Sequence, residues 1–199
     1  MGEVLLAGEK VKKSKTKPTL ESIFFSTPEQ RLMRFLLSEP TTAFTPRVLS
    51  SKLKGIRGLG GSEGIQRILN QLHEVGLVQF VNHNREVCLE NDALPVKLMK
   101  VFGAICDLEG LGENLKTISE KGVLFGSRCS GLFRSDSDYD LLVVSSQGEE
   151  VKKIVTRHPL GKRITLQVWN NDDFMHVEKR DPKLARKIET GIVLWGMTW

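Results

Sequence analysis

Cysteine is scarce in this chain: Cys88, Cys106 and Cys129 are three among 199 residues, far apart and odd in number. That excludes a disulfide framework and the paired spacing of a zinc or dithiol redox site, and leaves reduced, buried thiols. Long apolar runs are missing as well. No stretch approaches the roughly 18 residues of a membrane span, and the basic start has neither the apolar core nor the cleavage site of a secretory signal. A cytoplasmic, soluble protein with no membrane partner is the expectation. The charge imbalance is small, 29 Lys+Arg against 24 Asp+Glu for a net +5. It favours a polyanionic partner without naming one.

What the chain does contain falls into blocks. Residues 1–26 form a basic stretch with Lys10, Lys12, Lys13, Lys15 and Lys17 and few large apolar anchors, which reads as a flexible tail. "TPEQRLMRFLLSEP" opens with Thr27 as N-cap and Pro28 at the first helical position, then places Leu32, Phe35 and Leu36 at helical spacing before Pro40 stops it. "TPRVLSSKL" repeats the Thr-Pro start at Thr45-Pro46, with Val48, Leu49 and Leu53 facing inward. The connection "KGIRGLGGSEG" follows a helix rather than a strand and has neither Rossmann spacing nor a Walker lysine, so it is a plain linker. A third helix, Gly64 to Val75, sets Ile65, Ile68, Leu69, Leu72 and Val75 on one face. "LVQFV", the turn "NHNR" and "EVCLE" then read as a hairpin.

Three helices followed by a hairpin, over residues 27–92, resemble a winged helix-turn-helix domain, in which one helix enters the major groove and the wing lies on phosphates. The third helix would be the reader. Gln66, Arg67, Asn70 and Gln71 carry suitable donors and acceptors for base edges, and Arg57 sits nearby. Double-stranded DNA is the expected partner; a solvated polar face, or a protein partner for the same domain, is the competing reading. His73 and His83 have no ligand cluster about them and are ordinary surface residues. Residues 93–114 read as a linking helix, with a break at Gly110 to Gly112 and a second short helix after it.

The most informative stretch is "GVLFGSRCSGLFRSDSDYDLLVV". A continuous apolar run reads as a buried, parallel-type strand ended by Gly126-Ser127. Glycine there lets a ligand approach the backbone closely, and phosphate is the natural guest. Asp138 and Asp140 fall on one side of the next strand, about 7 Å apart, where a shared cation would offset their repulsion. Asp136 reads as turn chemistry. Carboxylates in this register beside such a corner suit Mg²⁺-dependent nucleotide chemistry.

Gly126-Ser127-x-x-x-Gly131, a spacer, then Asp138-x-Asp140 and Leu-Leu-Val-Val resemble the signature of the DNA polymerase beta-like nucleotidyltransferase superfamily, particularly its minimal members. The resemblance covers about residues 115–196, since "LARKIETGIVLWG" is similar to that family's terminal helix and strand. It implies a nucleotidyltransferase-like domain over 115–199, a small mixed sheet flanked by helices, so that the whole chain is of the α+β class. It further implies that Gly126 and Ser127 bind nucleotide phosphate, that Asp138 and Asp140 bind Mg²⁺ and are the catalytic pair, and that an NTP, ATP by preference, is the substrate. Catalytic members carry a third aspartate on a later strand. Here that strand is "RITLQVWNNDDF", the aligned position holds Gln167, and Asp172 and Asp173 read as helix caps. A glutamine cannot serve as a base.

Two functions therefore stand open: transfer of a nucleoside monophosphate to a hydroxyl of a protein or small molecule, and a DNA-binding transcriptional regulator whose nucleotidyltransferase-like domain senses or dimerises without catalysis. By resemblance, the acceptor in the first case includes a helical partner protein. By analogy with other winged helices, a homodimer is expected.

Overall fold

The computed structural model describes residues 17–197. Most lysines of the expected tail lie in residues 1–16, outside the described residues. Its final part is not loose: α1 (Leu20–Phe24) is closed by a capping box at Thr19. Thr27 and Thr45 cap α2 (Pro28–Ser38) and α3 (Pro46–Lys52), each with proline in the first turn, as their sequences require. Glu39 before Pro40 leaves the helical region, because the proline ring clashes with a helical predecessor.

α4 (Gly61–Glu74) begins three residues earlier than its apolar periodicity indicates and has no side-chain cap. Gly64 is essential there, since a methyl group would lie 2.0 Å from the Leu59 carbonyl oxygen. β1 (Val78–Val81) and β2 (Glu86–Leu89) pair antiparallel, and Phe44 adds a bridge to Val87. Asn82, His83 and Asn84 turn the hairpin with positive φ, a conformation asparagine tolerates better than most. Leu32, Leu36, Leu49, Ile65, Ile68 and Leu69 form the core of this unit with Val78, Val87 and Leu89. Val48 and Val75 are exposed rather than inward: α3 centres its buried arc on Leu49, and Val75 is the C-cap of α4.

α5 (Leu94–Leu115) is one continuous helix, about 33 Å long at the standard rise, without the expected break. Two of its three glycines serve packing instead: Gly103 faces Arg34, and Gly112 faces the Trp195 ring, while Gly110 has open space beside it. Val96 and Cys106 enter the N-terminal core, whereas Ala104, Leu108, Leu111 and Leu115 enter the next one. α1 lies along the same helix through Phe24 on Phe102 and the Leu20 amide, which donates to Glu109.

The rest is a four-stranded mixed sheet with helices on both faces. In chain order it comprises β3 (Lys121–Phe125), α6 (Ser127–Ser130), β4 (Tyr139–Val144), α7 (Gly148–Arg157), β5 (Ile164–Trp169), α8 (Asn171–Met175), α9 (Val177–Arg180), α10 (Pro182–Glu189) and β6 (Ile192–Trp195). The strand order is β5-β4-β3-β6. β3 is antiparallel to both neighbours, contrary to its parallel-type appearance, and only β4 and β5 run parallel. The apolar run is explained by burial on both faces: Leu124 meets α5 and α7, while Val123 and Phe125 meet α8 to α10. The three cysteines are free. Among the described residues, no helix is long and apolar enough to cross a membrane.

Candidate functional site

Asp140 is fixed by the sheet. It pairs with Phe125 of β3 on one side and Thr165 of β5 on the other, and shares the strand face of Leu142 and Val144. Gly126 takes φ 73°, ψ −150°, a region essentially restricted to glycine. A methyl group there would lie 2.1 Å from Asp140 Oδ2, so the glycine corner and the carboxylate are in direct apposition. Burial raises the Asp140 carboxyl above its ordinary value; Lys187 opposes that rise and Asp138 adds to it.

Gly131 closes α6 with φ +71°, and a methyl group would meet the Lys97 carbonyl oxygen of α5 at 2.4 Å. The corner is thereby seated on the long helix. Ser127 is half-buried at the start of α6. The Cys129 thiol is spent on the Gly126 carbonyl, 3.1 Å away.

Asp138 lies just before β4 and is exposed. The Thr165 hydroxyl donates to its Oδ2 at 3.4 Å, which puts both aspartates and Thr165 on one face. Gln167 pairs with Leu142, one dipeptide further along. The residue beside the aspartate pair is thus Thr165, and Gln167, the position aligned with the third carboxylate, follows two residues later on the same face. Parallel register decides this, and a single sequence does not reveal it. Neither residue supplies a carboxylate. Asp136 sits in the turn, 3.8 Å from Arg134. Asp172 and Asp173 lie in the first turn of α8, but Asn170 is its cap.

Residues 113–197 match the family model described as Polymerase beta, Nucleotidyltransferase. No curated protein matches the chain. The match spans the sheet, the Gly126 corner and both aspartates, so the α+β domain with a small mixed sheet carries a nucleotidyltransferase signature. Among the described residues, no group of three or more His, Cys, Asp or Glu converges as a metal cage. Mg²⁺ is ordinarily held by one or two carboxylates, with substrate phosphates and water completing its shell. Asp138 and Asp140 fit such a shared ion and do not fit an all-protein site.

Two residues near this glycine corner have no counterpart in the sequence reading. Arg128, buried in α6, donates to the Ser137 and Asp138 carbonyls, and Arg163 donates to the Ser135 and Ser137 carbonyls. Their only sequence signal is position, one after the Gly-Ser corner and one at the entry to β5.

The N-terminal candidates cluster separately. Arg57, Arg67, Asn70 and Gln71 are exposed, and Gln66 is half-buried. Gln66 donates to Asn70 across one helical turn at 3.0 Å, so part of this polar face is already internally paired. His73 is less ordinary than expected: its ring bonds the Val78 carbonyl at 3.0 Å and packs edge-on against Phe80, tying α4 to the hairpin.

Proposed function

We propose that residues 113–197 are a nucleotidyltransferase domain that binds an NTP, ATP by preference, with Mg²⁺, and that residues 27–92 are a winged helix-turn-helix holding the protein on duplex DNA. The observation that carries the first part is the apposition of Gly126 and Asp140. Direct contact between the glycine corner and one of the two aspartates supports a shared site for phosphate and metal. Asp138 and Asp140 would hold the metal, which supplies charge neutralisation for phosphoryl oxygens. The Gly126-Ser127 backbone and the Ser127 hydroxyl bind the phosphates, and the raised Asp140 carboxyl gains its stable charged form from a bound cation.

In the reaction, an acceptor oxygen bonds to the α-phosphorus, the bond to pyrophosphate breaks, and the acceptor proton leaves to solvent. Thr165 cannot take that proton as a carboxylate would. That observation favours a second reading, in which the same corner binds nucleotide without transfer and the protein acts as a DNA-binding regulator.

Calorimetric titration with ATP and the other NTPs, with and without Mg²⁺, tests both. The expected result is Mg²⁺-dependent binding that disappears in Asp138→Asn, Asp140→Asn. Binding unchanged in that double variant refutes the metal assignment. Incubation with ATP radiolabelled at the α-phosphate and cell proteins then separates the readings: label transfer supports the first, and nucleotide binding without transfer supports the second.

A further inference from the structure

The two aspartates are held by different means. Asp140 stands in the ladder, fixed by strands on both sides. Asp138 precedes the strand, at the end of a connection that starts at Phe133 and turns through Arg134–Ser137. The sheet reaches that connection through its side chain at Asp138, where Thr165 donates at 3.4 Å, and not through its main chain. Three cations hold the main chain instead, through five hydrogen bonds to its carbonyls. Lys100 of α5 donates to Phe133 at 2.9 Å. Arg128 donates to Ser137 at 2.7 Å and to Asp138 at 3.2 Å. Arg163 donates to Ser135 at 2.6 Å and to Ser137 at 3.0 Å.

Among the described residues, neither arginine forms an ion pair. Arg128 is instead sandwiched between the Phe133 and Tyr139 rings, at 4.3 and 3.7 Å. A buried guanidinium with carbonyl rather than carboxylate partners, as Arg128 has, is costly for stability alone, and the half-buried Arg163 adds a second cation to the same short connection. Both arginines converge on the Ser137 carbonyl, the peptide unit immediately before Asp138. Arg128 spans the successive Ser137 and Asp138 carbonyls with Nη2 and Nε, which its planar guanidinium permits, whereas Arg163 reaches Ser135 and Ser137 from a single Nη.

We infer that Arg128 and Arg163 are positioning residues that set the Asp138 carboxylate for metal binding, clamping its peptide from two sides while the sheet alone sets Asp140. This rests on the reading of Asp138 and Asp140 as the metal pair. Outer residues that orient metal ligands commonly govern metal affinity by about 10- to 100-fold.

The test measures ATP affinity of the full chain in Mg²⁺ and in EDTA, for the wild type, Arg163→Met, Arg163→Lys and Arg128→Lys. Arg163 is the half-buried member and is expected to yield a folded variant, checked by its thermal transition. The expected outcome is an about tenfold or greater loss of affinity in Mg²⁺ for Arg163→Met, with affinity in EDTA unchanged. Adding Asp138→Asn to Arg163→Met should cause no further loss, whereas adding Asp140→Asn should. A purely structural arginine would lower both affinities together and would not single out Asp138. Unchanged Mg²⁺-dependent affinity in folded arginine variants overturns the inference and leaves the nucleotide reading intact. Absence of any Mg²⁺-dependent component in the wild type overturns both.

Discussion

The unit before α5 and the sheet after it bury similar leucine-rich cores, but they carry polar groups in opposite ways. On α4 the candidate contact residues project from a helix whose fold does not depend on them; Arg67, Asn70 and Gln71 are exposed. Around the Gly126 corner the candidate groups are part of the fold: a methyl group on the glycine would strike Asp140, and the connection before Asp138 is bonded by both arginines. Substitution on the first surface should therefore cost little stability. At the second, the groups that would bind nucleotide also hold the fold.

Gly126→Ala is the sharpest way to break that contrast and has the largest expected effect. It forces alanine into a glycine-only conformation, at about 1–3 kcal/mol, and drives its methyl group into Asp140. Urea unfolding should show the loss, and ATP binding should vanish with it. A Gly126→Ala protein of wild-type stability would mean that the corner relaxes easily and that the two regions are alike.

The legible features were local ones. Thr27-Pro28 and Thr45-Pro46 announce their helices because capping and proline preference operate within four residues, and the apolar stripe of α4 predicts the burial of Ile65, Ile68 and Leu69. The corner and the aspartate pair were legible because glycine and repeated carboxylates are chemically conspicuous. Features that depend on distant partners were misread or passed over. Gly110 and Gly112 suggest a break until Trp195 is seen packed on Gly112. β3 looks parallel because both its faces are covered. Thr165 gained its place from the β4–β5 register, and Arg128 and Arg163 gained theirs from a connection that turns back over both of them.

A smaller effect comes from Lys100, which joins the two regions by bonding Asn91 at the end of the hairpin unit and Phe133 in the connection. Burial, reinforced by the Arg128 and Lys97 charges, lowers its ammonium to about 8. Since the unfolded chain keeps the proton to about 10.4, the unfolded state binds more protons between these values. Stability should therefore rise with pH from about 8 to 10, by at most about 1.4 kcal/mol per unit. Lys100→Met should lack that slope. Urea melts of both proteins at pH 7.5 and 9.5 check the point, and parallel pH trends would show that Lys100 keeps an ordinary proton affinity in the fold.

The smallest stability effect belongs to the other surface. Arg67→Ala removes an exposed side chain, so its unfolding free energy should stay within about 0.5 kcal/mol of the wild type. If α4 lies on duplex DNA, affinity should nevertheless fall. Loss of a phosphate contact would also reduce the salt dependence by about one unit of slope, whereas loss of a base contact would cost about 1–3 kcal/mol at particular sequences and leave the slope nearly unchanged. Fluorescence anisotropy against several duplexes at two salt concentrations distinguishes these outcomes. Equal affinity in both proteins would remove Arg67 from the contact surface. Absence of duplex binding by the wild type even at low salt would leave the polar face to a protein partner, because its donors and acceptors serve either kind of surface equally well.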